Sequence, residues 1–145
     1  MTADMPRHSA PLMPLLVAWT IALCATLSAL FLGEVMGRLP CLLCWYQRIF
    51  MFPLAVVLGV GFYQADTAVW RYALPLAGLG GMIAAYHSLV YYGLVEEAMV
   101  PCSISGPSCS GPDMAILSGL PIPLLSMAAF SAVAALLIHI ARNSP

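Results

Sequence analysis

The chain has 145 residues, of which 62% are hydrophobic and only 8% are charged, and its mean hydropathy is +0.95. One small core cannot bury that much apolar surface, so the composition excludes an ordinary soluble domain and favours the lipid bilayer as the solvent. The net charge of −1 says little about partners, and we expect no nucleic-acid partner.

Four apolar segments are long enough to cross a hydrocarbon core of about 30 Å, which takes roughly 20 helical residues. We place these spans at about residues 14–32, 46–65, 72–95 and 119–141, with outer loops at 33–45 and 96–118. The second span is short as an uncharged run, and Trp45 and Tyr46 extend it as interfacial anchors. Because a lipid-exposed backbone must satisfy its own hydrogen bonds, we predict an all-α membrane protein, a four-transmembrane-helix up-down bundle forming one domain over residues 1–145.

The few basic residues favour an orientation with both termini in the cytoplasm. Three arginines then lie inside, against one or two outside, which agrees modestly with the positive-inside rule: Arg7, Arg71 and Arg142 inside, Arg38 outside, and Arg48 at the outer edge of the second span. Arg7 before an apolar run also fits a cleaved secretory signal, but the run is long for a signal core. In this orientation, four of the five cysteines fall on the outer, oxidising side.

The motif CLLCWYQR opens the second span and carries the strongest chemical signal. Cys41 and Cys44 form a Cys-x-x-Cys pair, which can close a disulfide locally and is often suited to thiol exchange. If the helix begins near Cys44, its dipole stabilises a thiolate there, and Arg48 lies one turn further on the same face. The alternative for Arg48 is a side chain that only reaches the lipid headgroups.

A second cysteine pair, Cys102 and Cys109, lies in the Gly/Pro/Ser-rich loop before the last span. The pair could be redox-active or could form a purely structural clip on that loop. A metal site made from all four outer cysteines is a further alternative, which we disfavour because no loop histidine accompanies them, and we expect no metal. Cys24, in mid-span, is most simply a small packing residue.

His87 lies in the third span, about two helical turns from its outer end. An ionisable residue at that depth suggests a functional site, although a histidine bonded to a neighbouring helix would serve structure alone. We therefore keep His87 as a candidate quinone-binding residue, although no motif accompanies it.

The run PCLLCWYQR, followed by MFP and by a second cysteine pair before the last span, closely resembles the DsbB family, including its short BdbC-like members. The resemblance covers nearly the whole chain. It implies a disulfide-generating thiol:quinone oxidoreductase of the bacterial inner membrane. Such an enzyme reoxidises a DsbA-like, thioredoxin-fold thiol oxidase outside the cytoplasm and passes the electrons to a membrane quinone, either ubiquinone or menaquinone.

The same resemblance implies roles for individual residues. Cys41 and Cys44 match the pair that exchanges electrons with quinone, with Cys44 nearest the ring, and Arg48 matches the arginine that supports the bound quinone. Cys102 and Cys109 match the pair that accepts electrons from the partner, Cys102 through a mixed disulfide and Cys109 by passing electrons towards Cys41. Here the second pair is closely spaced in a short loop, which leaves the order of exchange between the two disulfides open.

Two other classes remain as alternatives. An enzyme like vitamin K epoxide reductase also combines a four-helix core with thiols and quinone, but its redox Cys-x-x-Cys comes late in the chain, whereas Cys41 and Cys44 come early. A non-enzymatic membrane protein with two structural disulfides is the other alternative. It predicts no quinone-dependent turnover and tolerance of Arg48 replacement.

Overall fold

The computed structural model describes residues 12–96, 109–110, 115–116 and 119–144. Within them lie four long helices and one short antiparallel hairpin: α1 (Leu12–Leu30), α2 (Leu42–Tyr63), α3 (Trp70–Tyr91), β1 (Ala115–Ile116), β2 (Leu120–Pro121) and α4 (Ile122–Asn143). A π-helical turn, Phe31–Val35, extends α1, and a 3₁₀ turn, Thr67–Val69, leads into α3. All four helices are long and apolar enough to cross a membrane, which confirms the predicted four-helix architecture.

The helices pack in a ring, each against the next in the chain and α4 against α1. Their shared core is almost wholly aliphatic and includes Leu15, Leu58, Ala77 and Phe130, one from each helix. Many other apolar side chains face outward, as expected where lipid is the solvent. The buried polar side chains of the described residues, Gln47, His87 and Ser88, lie near the start of α2 and the end of α3 instead.

The second helix begins at Leu42, within the region that the sequence prediction assigned to the first outer loop. Cys41 is the N-cap, with extended backbone angles, and Pro40 before it disfavours a helical conformation at the preceding residue. The hydropathy pattern missed this start because Arg48 interrupts the uncharged run, although it lies inside the helix. As a result, Cys44 and Arg48 both lie in the first two turns of α2.

The fourth helix begins at Ile122, slightly after the predicted boundary, because Leu120 and Pro121 form strand β2. Ile116 pairs with Leu120, and Ala115 with Pro121, in the antiparallel hairpin. Arg38 donates a hydrogen bond of 3.3 Å to the carbonyl oxygen of Ala115. This bond ties the loop between α1 and α2 to the hairpin before α4, at the same end of the bundle as Cys41.

Candidate active site

Three cysteines and one histidine meet at the end of the bundle where α2 begins and α3 ends. The Cys41 thiol donates to Cys44 Sγ at 3.2 Å, and Cys41 Sγ lies 3.7 Å from His87 Nε2. The donor atoms of Cys41, His87 and Cys109 all lie within 4.8 Å of one another. One cysteine of each predicted pair, Cys41 and Cys109, therefore lies in this cluster.

This thiol cluster, Cys41, Cys44, Cys109 and His87, is almost shut off from solvent. Cys41 and Cys109 are each only 1% exposed, and His87 is fully buried. Leu43 and Val90 pack around the two buried cysteines in a small apolar cluster separate from the main core. Only Cys44 is half-exposed.

The surroundings of Cys41 set the proton affinity of its thiol. A hydrogen bond with Cys109 lowers its pKa, whereas the hydrogen bond with Cys44 and burial raise it, and together they bring the pKa to about 12. Reduced Cys41 is therefore a neutral thiol near pH 7. Its use as a nucleophile or leaving group requires a nearby group that exchanges its proton, and His87 Nε2 is in contact with the sulfur.

Gln47 is a site residue that the sequence analysis quoted within a motif but gave no role. Its side-chain amide lies 2.9 Å from His87 Nδ1, and Gln47 is 6% exposed. This bond fixes the ring plane and determines which tautomer the imidazole adopts, according to which amide atom faces it. The available sequence signal was the position of Gln47 one helical turn after Cys44.

The side chain of Arg48, on α2, reaches the C-terminal end of α1. Its Nη2 donates to the carbonyl oxygen of Ala29 at 2.8 Å, and its guanidinium lies 5.5 Å from the centre of the Trp45 ring. The nearby π-helical turn contains Gly33, at which an added Cβ would lie 3.3 Å from both Nη1 and Nη2 of Arg48. A guanidinium has five N–H donors, so the bond to Ala29 leaves others for a ligand.

A cavity of about 820 Å³ adjoins the thiol cluster on the side of α1 and α4. Arg48, Gln47 and Cys44 contribute to its wall, together with apolar residues of α1, α2 and α4. Its size and mostly apolar lining suit a lipid-soluble ring compound held by a few polar groups. Cys44 belongs to both features, since its sulfur contacts Cys41 and its side chain lines the cavity.

The remaining candidate residues lie apart from the cluster or outside the described residues. Cys102 lies outside them. Cys24 is a free cysteine exposed on α1 and lines the cavity without belonging to the thiol cluster.

The comparisons with known proteins agree with the motif. A family model described as "Disulfide bond formation protein DsbB" matches residues 12–140. The chain belongs to the DsbB family. It is 52% identical over 130 residues to a probable disulfide formation protein of Metapseudomonas resinovorans, covering 90% of each chain. It is also 40% identical over 116 residues to disulfide bond formation protein C of Bacillus subtilis, covering 80% of this chain and 83% of the relative. No solved structure matches.

Membership in the DsbB family assigns the chain a general role in disulfide formation, as an oxidoreductase of a membrane protein family. A 42% identical relative from Deinococcus radiodurans, aligned over 85% of each chain, carries the same description of a probable disulfide formation protein. The family favours redox-active cysteines over two structural disulfides. The roles of individual residues remain predictions.

Proposed function

We propose that this DsbB-family chain is a membrane thiol:quinone oxidoreductase. It reoxidises a thioredoxin-like thiol oxidase outside the cytoplasm and passes the electrons to quinone in the membrane. The observation that carries the proposal is the position of Cys44, which contacts Cys41 in the thiol cluster and also lines the apolar cavity. One sulfur therefore joins a thiol-exchange site to a site suited to a lipid-soluble acceptor.

The thiol steps form a balanced series in which each exchange breaks one S–S bond and makes one. A thiolate of the partner attacks Cys102 of the Cys102–Cys109 disulfide and releases Cys109. Cys109 then attacks Cys41, whose sulfur lies within 4.8 Å, and releases the Cys44 thiolate towards the cavity. The second thiol of the partner attacks the mixed disulfide, which oxidises the partner and releases Cys102. Cys102 then attacks Cys109 of the Cys41–Cys109 disulfide, which re-forms the Cys102–Cys109 pair and releases Cys41.

In this proposal, the buried His87 exchanges the proton of the Cys41 thiol. His87 Nε2 lies 3.7 Å from Cys41 Sγ, so the ring takes up the Cys41 proton when the pair is oxidised and returns it when the pair is reduced. The bond between His87 Nδ1 and the Gln47 amide, 2.9 Å long, holds the ring in that position. His87 thus acts on Cys41 in this proposal, rather than only on a bound ligand.

The cavity residues fit a quinone. The apolar wall suits the ring and its isoprenoid tail, while the Arg48 guanidinium offers N–H donors to a carbonyl oxygen and favours negative charge there. Quinone, when bound, accepts the two electrons that convert the Cys41 and Cys44 thiols to a disulfide. Closing that bond needs the sulfurs to move from 3.2 Å apart to about 2.0 Å.

The deciding experiment is an anaerobic turnover assay with purified protein, a reduced thioredoxin-like partner and a soluble quinone, followed by quinone absorbance. Cys44→Ser should abolish turnover, and Arg48→Ala should slow it mainly through a higher KM for quinone. The chain offers a matched control in Arg71, whose guanidinium lies 5.7 Å from the Trp70 ring, much as Arg48 lies over Trp45. Arg71→Ala should leave both constants unchanged. Equal rates in all variants, with partner and quinone shown to be competent, would contradict the proposal.

A further inference from the structure

The thiol cluster has the composition of a soft-metal site. Thiolates and imidazole are the ligands that Zn²⁺ prefers in proteins, and three cysteines with one histidine form a common tetrahedral set. Here the donor atoms of Cys41, His87 and Cys109 lie within 4.8 Å of one another and all three residues are buried. The sequence argument against a metal counted only loop residues, and the structure supplies the missing imidazole from α3.

Cys44 completes the set. Its sulfur lies 3.2 Å from that of Cys41, whereas two thiolates bound to one tetrahedral zinc at about 2.3 Å each lie roughly 3.8 Å apart. A shift of about half an ångström therefore brings this pair to the required spacing. Because Cys44 is half-exposed, its sulfur is the ligand of the four that an incoming cation can reach first.

The imidazole already has the support typical of a metal ligand. His87 directs Nε2 to Cys41 at 3.7 Å and Nδ1 to the Gln47 amide at 2.9 Å. A metal on Nε2 requires the proton on Nδ1, which the Gln47 amide oxygen accepts once the amide faces the ring with that atom. The outer contact needed to fix a ligating histidine is therefore present.

We propose that the fully reduced protein binds one Zn²⁺-class cation through Cys41, Cys44, Cys109 and His87. The three thiols lose their protons on binding, so three protons are released and no electron is transferred. A disulfide at Cys41 or Cys109 removes thiolate ligands, which confines binding to the reduced state. Binding requires neither quinone nor partner and goes beyond the proposed function.

The test is an anaerobic titration of the reduced, full-length protein in detergent with Co²⁺, which replaces zinc and reports its ligands by absorbance. We expect one equivalent to produce thiolate-to-cobalt charge-transfer bands and the visible bands of a tetrahedral site, and Zn²⁺ to displace it. The oxidised protein should give neither. Removing Nε2 with His87→Gln should weaken binding by at least about tenfold, and Cys109→Ser should lower the charge-transfer intensity.

Two single-thiol variants serve as controls, because neither residue belongs to the four ligands. Cys24→Ser and Cys102→Ser should keep the full cobalt spectrum, with circular dichroism checking that every variant retains its helices. The proposal is overturned if the reduced protein shows no thiolate bands, if Cys109→Ser binds with an unchanged spectrum and affinity, or if either control loses the signal. None of these readouts depends on turnover, so failure of the quinone assay and failure of metal binding are separate results.

Discussion

Cys41 is the residue at which Cys44, Cys109 and the buried histidine meet. Its sulfur donates to Cys44 at 3.2 Å, contacts His87 at 3.7 Å and lies within 4.8 Å of Cys109. Cys41 therefore has two candidate disulfide partners close to its sulfur, Cys44 and Cys109. In the proposed exchange series, the disulfide between Cys41 and Cys109 forms as the Cys44 thiolate is released.

Removing the other partners of these two sulfurs should favour a disulfide between Cys41 and Cys109. In a Cys44→Ser, Cys102→Ser double variant, we expect air or quinone-independent oxidants to join Cys41 to Cys109, because their sulfurs are close and each has lost its proposed partner. Peptide mapping under non-reducing conditions measures the link, and Cys24→Ser is the control that should keep Cys41 paired with Cys44. Recovery of Cys41 as a free thiol in the oxidised variant would contradict the proposed route from Cys109.

Gly33 allows the close approach of Arg48 to the end of α1. A Cβ at this position would lie 3.3 Å from both terminal nitrogens of the guanidinium, so Gly33→Ala should displace them and weaken the bond to Ala29. Loss of a bond worth about 1 kcal/mol corresponds to roughly a fivefold higher KM for quinone. Exchange with the thiol partner, measured in single turnover without quinone, should be unchanged.

The matched control for that substitution is Gly78→Ala, since a Cβ on Gly78 meets no atom within 4 Å. It adds the same methyl group to a helix of the same bundle and should leave the KM for quinone as it is. An equal rise in KM for both variants would mean that the effect comes from altered helix packing and that Gly33 has no part in the proposed quinone site.

At the scale of elements, the contact between α3 and α4 depends on one small residue. A Cβ on Gly80 would lie 2.2 Å from the Phe130 ring, and Phe130 is 1% exposed, so the ring has little room to move. Gly80→Ala should lower the free energy of unfolding by about 1–3 kcal/mol through overpacking. Thermal unfolding in detergent measures the change, and Gly78→Ala should be neutral or slightly stabilising. Equal stability of the two variants would show that α3 and α4 are not held at this distance.

The helices themselves could be predicted from the sequence, because an uncharged run of sufficient length has few other structures available in a bilayer. Their ends were harder to predict. The predicted start of α2 was too late, because the charge of Arg48 ended the uncharged run although this residue lies inside the helix. The predicted start of α4 was too early, because Leu120 and Pro121 pair in a strand instead. Both errors concern places where a local contact outweighed the average composition.

The thiol motif could be predicted, but its neighbours could not. Cys41 and Cys44 are close in sequence, so a helix start alone brings their sulfurs together. The contact between Cys41 and His87 instead joins residues 46 positions apart, and it depends on how α2 and α3 are aligned. No spacing rule gives that alignment, and the role of Gln47 was missed for the same reason.

At the scale of the whole molecule, the proposed function requires the thiol end of the bundle to face away from the cytoplasm. Alkaline phosphatase, which is active only outside the cytoplasm, should be active when inserted at Gly37 and inactive when fused after Asp66 or Asn143. A green fluorescent protein fusion after Asn143 should fluoresce, as the opposite readout. The reverse pattern would place Cys41 and Cys109 in a reducing compartment and exclude exchange with an extracytoplasmic partner.

The burial of Cys41 and Cys109, each 1% exposed, has a consequence for selectivity. Low-molecular-weight thiols such as glutathione need a free line of approach to a sulfur before they can reduce a disulfide. The apolar residues packed around Cys41 and Cys109 block that approach. The proposed disulfide partner of Cys109, Cys102, lies in the same loop of the sequence. In the proposed function, the sulfurs of Cys41 and Cys109 are thereby kept from direct attack by the bulk thiol pool.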